Sequence, residues 1–240
     1  MMENQLNNYI SERVKYIKEN INDAALVSGR NPNEISLMAV TKTRTTDEVN
    51  AAINAGVTLL GENRAQELLE KFDSYNKQCQ IHFIGHLQTN KVKSIIDKVT
   101  MIHSVDSLKL AEEINKHSLK LGKIMDILIE VNIGNEITKS GVLKEQVLEL
   151  LYSINNMKNI NVLGLMTIPP KCDETQSEKY FSDMYKLYVD IRSKNIDNIN
   201  MNVLSMGTSD DYKTAVKYGS NIVRIGKAMF APEIIIKKVT

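Results

Sequence analysis

The fold this sequence predicts is α/β: a single (β/α)8 barrel of the TIM type with one extra helix at its N-terminus. Three observations predict it. Eight short apolar runs alternate with stretches of helical periodicity along 240 residues. Most of the runs are continuously apolar, as parallel strands buried on both faces require. No linker rich in Pro, Gly or Ser interrupts the series, so residues 1–240 read as one domain. A doubly wound open sheet is the structural alternative, since it uses the same alternating units.

The first helix is expected from about Leu6 to Val27, where Ile10, Val14, Ile17, Ile21 and Ala25 share one stripe. Gly29 stops it and Pro32 lies just beyond, so residues 1–30 read as a helix packed on the barrel. Strands are expected at 37–41, 57–60, 81–84, 99–102, 125–131, 160–165, 201–204 and 222–225. Helices are expected between them at 46–55, 64–75, 88–97, 107–121, 143–156, 174–194 and 210–218. At the first of these, Thr45 can cap with Glu48 as its reciprocal partner three residues on.

Composition excludes several classes. With 30 basic and 29 acidic residues the net charge is +1, which gives no electrostatic case for nucleic acid or an anionic membrane as partner. No window approaches a membrane span, and the polar N-terminus has no signal-peptide core. Cys79 and Cys172 match no metal-ligand spacing, and two thiols so far apart suit a reducing cytoplasm.

A barrel places its chemistry at the C-terminal ends of its strands. Lys42 stands there on the first strand, where its charge reads equally as a solvated amine or a reactive one. Near the other end of the chain, Ser205-Met206-Gly207-Thr208-Ser209 forms a small turn after the seventh strand. A glycine-containing loop leading into a helix presents free N–H groups to an anion such as phosphate. The eighth strand ends in Arg224-Ile225-Gly226-Lys227, and Gly226 admits close approach of backbone to a ligand. Closure pairs this strand with the first, so an amine, a guanidinium and a phosphate cradle would share one rim. Ser209-Asp210-Asp211 is also an ordinary capped helix start that needs no ligand.

Other polar residues rim the same face: Gly61-Glu62-Asn63, the stretch from Gly85 to Lys91, Glu130 with Asn132, and Met166 to Pro170. His82 and His86 span a strand and a loop, so their spacing does not make a metal pair. His103 and His117 have no evident partners and read as structural or solvated.

Read together, these segments resemble the pyridoxal phosphate homeostasis protein family, which shares its fold with the N-terminal barrel of alanine racemase. The resemblance runs through "LMAVTKT" at 37–43, "LGEN" at 60–63, "HFIGHLQTNK" at 82–91, "HSVDS" at 103–107, "KSGV" at 139–142, "GLMTI" at 164–168, "LSMGTSDD" at 204–211 and "VRIGKAMF" at 223–230. It implies pyridoxal 5′-phosphate (PLP) as cofactor, carried as a Schiff base on Lys42. That chemistry needs an amine that can be neutral, and a nearby cation such as Arg224 lowers a lysine pKa. The resemblance also implies phosphate contacts from Ser209 and the backbone of Gly207, Thr208, Gly226 and Lys227, with Met206 of the same turn grouped among them. Arg224 would face the pyridine nitrogen, leaving the ring a weaker electron sink than an aspartate partner would. Asn63 would touch the ring face or the O3′ side.

The sequence departs from the family pattern at Thr208, Asn221, Lys227 and Ala231, and Lys227 puts a side-chain hydroxyl contact at its position in doubt. Against alanine racemase, Thr46 stands where a tyrosine follows the lysine, and no C-terminal β-domain is expected before Thr240. The expected function is therefore a monomeric, cytoplasmic carrier in PLP homeostasis, with apo-PLP enzymes as acceptors. A weak racemase or transaminase is the alternative. A Schiff-base aldolase that takes a sugar phosphate fits the motif series least.

Overall fold

The computed structural model describes residues 2–231. The expected C-terminal boundary, residues 232–240, lies outside the described residues. Helix α1 (Met2–Val27) leads into β1 (Ser36–Val40), α2 (Thr46–Asn54), β2 (Leu59–Glu62), α3 (Ala65–Lys71), β3 (Gln80–Phe83) and α4 (Thr89–Ile95). The chain continues through β4 (Met101–Val105), α5 (Leu108–Lys120), β5 (Met125–Asn132), a two-residue β6 (Val142–Leu143), α6 (Val147–Ile154) and β7 (Ile160–Met166). It closes with α7 (Glu174–Ser193), β8 (Ile199–Ser205), α8 (Tyr212–Lys217), β9 (Ile222–Ile225) and α9 (Lys227–Phe230).

The strand order is β4-β3-β2-β1-β9-β8-β7-β5, and β4 also pairs with β5. The ring therefore closes, every pairing is parallel, and β6 is a short addition on β5. This is the (β/α)8 barrel expected; the open sheet is excluded by the β4–β5 pairing. All eight expected strands form. Sequence periodicity misses β6 and α9, which are too short to carry a period.

Two hydrophobic layers hold the barrel. Between strands and helices lies a continuous core in which Ile10, Val14, Ile17, Ile21 and Ala25 of α1 are buried as their stripe predicts. Inside the ring, Met38, Leu59, Ile84 and Ile222 pack in one cluster, and Met101, Leu128 and Met166 in another. Each such fully buried side chain contributes roughly 1.5–3 kcal/mol. No space is left: a Cβ on Gly61 would come within 2.6 Å of Met38 Sδ. Strand alternation then carries the inward series past this apolar floor. Met38 and Val40 lead to Lys42, Leu59 and Gly61 to Asn63, Leu128 to Glu130, Val203 to Ser205, and Ile222 to Arg224. Polar residues thus occupy the C-terminal mouth because the strands run two residues beyond their apolar positions.

Candidate functional site

Lys42 lies two residues past the end of β1, after Thr41, and is exposed. Its support comes from both sides. Thr41 is fully buried; its N–H donates to Gly61 O and its hydroxyl to Glu62 Oε1 at 2.7 Å. The Tyr75 hydroxyl donates to the same Glu62 oxygen, while Oε2 is buried without a partner. Burial, and then Glu62, push the Tyr75 phenol well up from its ordinary pKa. On the far side, Thr43 adopts a left-handed φ of 62° and donates its N–H to Glu67 Oε2. Thr45 and Glu48 form the reciprocal capping box the sequence predicts. Lys42 is an exposed amine on a tightly tied turn.

The β8–α8 turn departs from expectation in three ways. Ser209 does not cap α8: the residue before the helix is Asp211, and Ser209 Oγ instead accepts from Ala228 N–H at 3.1 Å. Thr208 has spent both its N–H and its hydroxyl on Asp211 Oδ1, at 2.6 and 3.0 Å, so it offers neither to a ligand. Met206 points its side chain into the core outside the barrel, with its N–H on Ile222 O and its carbonyl accepting from Ser220. It has no group left for a cofactor. What remains is backbone. The N–H groups of Gly207, Ser209, Gly226 and Lys227 take part in no hydrogen bond among the described residues. Gly207 has φ +93°, and a Cβ there would lie 2.5 Å from Ala215 Cβ, so the turn requires glycine. The Ser209–Ala228 bond joins this turn to the one after β9, so the free donors collect around one seam.

Arg224 is buried, opposite Met38 in the β1–β9 register. Its guanidinium donates to Ser205 O, Ser205 Oγ and Thr167 O, each at 2.7 Å. These three bonds tie it to β8 and to the residue just after β7. Burial lowers its pKa to about 10, opposed by Asp211 and Glu130, so it stays charged. Glu130, inward on β5, has Oε2 buried and unpartnered. Burial, with Asp106 adding and Arg224 opposing, pushes its carboxyl up to about 7.

Asn63 is half-buried and its Oδ1 is buried without a partner, an orphan acceptor at the mouth. Lys227, first residue of α9, is exposed. His103, expected to lack partners, sits fully buried between His82 Nδ1 at 2.9 Å and Ser205 Oγ at 3.2 Å. His117 meets Glu113. The apolar run ends at residue 102, so it gives no sign of His103, which lies on the strand's extension to Val105. The described residues hold no group of three or more His, Cys, Asp or Glu able to take a metal ion.

A cleft of about 1690 Å3 runs from the Ser209 turn out to α1, past Tyr9, Arg13 and Lys213. Its lining includes Thr208, Ser209, Lys227 and Ala228 but neither Lys42 nor Arg224, so it opens on the cradle side of the mouth and not on the amine. Among the described residues no helix is long and apolar enough to cross a membrane.

Residues 14–233 match the alanine racemase N-terminal domain family. A protein of Aquifex aeolicus named pyridoxal phosphate homeostasis protein is 39% identical over 221 residues, covering 91% of this chain and 96% of its own. The crystal structure of an unknown protein from Bifidobacterium adolescentis superposes with a TM-score of 0.90 at 33% identity, covering 94% of this chain and 96% of that one. PipY of Synechococcus elongatus, in a structure with PLP bound, gives 0.79 at 25% identity, covering 92% and 99%.

Proposed function

Because this chain belongs to the pyridoxal phosphate homeostasis proteins, within the alanine racemase N-terminal domain family, we propose that it binds PLP at the barrel mouth and serves PLP homeostasis. The single observation that carries the reading is the β1–β9 seam. Ala39 pairs with Ile225 there, so a Cβ on Gly226 would lie 3.3 Å from Val40 Cβ, two residues before Lys42. An anion cradle and an exposed amine thus stand on adjacent strand ends.

The residues present fit this cofactor. The unspent N–H groups of Gly207, Ser209, Gly226 and Lys227 would take the phosphate, and the exposed Lys227 side chain adds a positive charge beside them. Asn63 Oδ1 is a buried acceptor in need of a donor. Arg224 keeps two N–H groups, Nε–H and one on Nη2, beyond the three it spends. Lys42 Nζ would make the covalent attachment. When bound, PLP supplies an aldehyde that condenses with a primary amine, releasing water, and an electron-withdrawing ring. Arg224 can only donate hydrogen bonds, so it would hold a ring nitrogen without giving it a proton. Glu130 can hold or release a proton at the mouth near neutral pH.

On this reading the chain is a single cofactor-binding barrel domain that acts as a monomeric carrier, and apo-enzymes that need PLP receive it. The two unpaired thiols, Cys79 and Cys172, suit a cytoplasmic location. Borohydride reduction of PLP-loaded protein, followed by peptide mass spectrometry, tests the attachment. The adduct is expected on Lys42; no adduct, or one on another lysine, would refute the reading.

A further inference from the structure

We infer that His103, backed by His82, is a positioning residue that orients Arg224 through the Ser205 hydroxyl, forming a hydrogen-bonded brace with one fixed direction. The inference rests on the PLP reading only for what Arg224 faces; the brace belongs to the barrel wall itself.

Proton counting sets the direction. Guanidinium nitrogens donate and never accept. Arg224 Nη1 lies 2.7 Å from Ser205 Oγ, so the hydroxyl oxygen is an acceptor there and must send its own proton elsewhere. Its remaining neighbour is His103 Nδ1 at 3.2 Å. That nitrogen is therefore bare, and the neutral ring carries its proton on Nε2. His103 Nε2–H then donates to His82 Nδ1 at 2.9 Å, which leaves His82 protonated on Nε2 as well. The opposite tautomers would strand the Ser205 hydroxyl proton in a fully buried position.

The surroundings keep both rings neutral. Burial lowers His82 to about 4. Burial drives His103 well below its ordinary value, and His82 and Arg224 add to the effect. No carboxylate hydrogen-bonds either ring among the described residues. Glu130 and Asp211 act on Arg224, as the chief favourable charges around it. Each link commits one donor to one acceptor, so the guanidinium cannot rotate without breaking two bonds to Ser205. The brace fixes which N–H groups Arg224 spends on the wall and which two it keeps for an acceptor, such as an aromatic ring nitrogen, at the mouth.

The test begins with cofactor-free protein labelled with 15N-histidine. Long-range proton–nitrogen correlation should show both rings as the Nε2–H tautomer, unchanged between pH 6 and 8. An Nδ1–H signal from His103, or an imidazolium in that range, overturns the proposal. The second arm follows exchange of the Arg224 Nε–H. His103→Phe removes the acceptor and should speed exchange about tenfold, whereas His103→Gln, whose amide can both accept and donate, should restore it. Equal exchange in wild type and His103→Phe overturns the brace, as does equal acceleration in both variants. If His103→Phe does not fold, the tautomers of the wild-type protein decide. In loaded protein, His103→Phe should weaken PLP binding about tenfold while the adduct stays on Lys42. A wild-type protein that takes up no PLP would remove the cofactor reading and leave the first two arms standing.

Discussion

Arg224 lies in register with Met38, yet spends its guanidinium on Ser205 and Thr167, across the other side of its own strand. One residue of the pair belongs to the apolar floor and the other to the polar mouth. The cation there opposes the upward shift of the Glu130 carboxyl within the barrel.

Glu130 gives a pH signature with a definite sign. Its folded pKa of about 7 lies above the ordinary carboxyl value, so the folded state binds a proton more tightly than the unfolded chain. Burying the carboxyl costs nothing below the unfolded pKa. The cost grows as pH rises and is complete above about 7, where it amounts to roughly 3–4 kcal/mol. Glu130→Gln mimics the protonated form. Thermal melts should show it near wild type at pH 5 and more stable than wild type at pH 8. A difference that does not change with pH would refute the assignment.

Tyr75 and Thr41 converge on one oxygen of Glu62, immediately behind Lys42. Tyr75→Phe removes one of two donors to a buried carboxyl and should cost about 1–3 kcal/mol in denaturant unfolding. Thr41→Val should cost a similar amount. Since both act on the same atom, the double variant should deviate from additivity by about 0.5 kcal/mol or more. Strict additivity would show that the two hydroxyls act separately.

Much of this was legible in the sequence, for identifiable reasons. The eight strands showed because each is a continuous apolar run, and the Thr45–Glu48 box showed because it is local. Lys42, Gly207, Gly226 and Arg224 could be placed at one mouth because barrel closure brings β9 to β1. The cross-barrel pairs were not legible. His82 and His103 sit on neighbouring strands 21 residues apart, and nothing local to either histidine signals the other. The place of Thr208 and Met206 in the motif implies contact with the cofactor. Asp211 and Ser220, which consume their polar groups, declare themselves only in three dimensions.

Gly207 separates backbone from side-chain recognition. Gly207→Ala places a Cβ 2.5 Å from Ala215 Cβ at φ +93°. Relief would have to move the turn that carries the free N–H groups. The expected cost is about 2–3 kcal/mol of stability, and PLP retention on gel filtration should fall well below that of wild type. Gly226→Ala meets Val40 at 3.3 Å and keeps an ordinary φ, so its effect should be smaller on both measures. Equal losses in the two variants would mean that φ at Gly207 is not the controlling constraint.

Lys42 divides holding from turnover. The side chain is exposed and makes no hydrogen bond among the described residues, so Lys42→Ala should unfold within about 0.5 kcal/mol of wild type. The borohydride-stable adduct should vanish, while part of the PLP stays bound through the cradle and dialyses out more slowly than from unfolded protein. Ser209→Ala should do the reverse, leaving the adduct on Lys42 but weakening retention, because the Ser209–Ala228 bond that joins the two turns is gone. Loaded wild-type protein incubated with L-alanine in deuterated water then separates carrier from enzyme. A carrier leaves the α-proton in place over many equivalents of amino acid. Multiple-turnover exchange that is lost in Lys42→Ala and falls in Glu130→Gln would establish catalysis, with Glu130 as its proton-holding group, and would overturn the carrier reading.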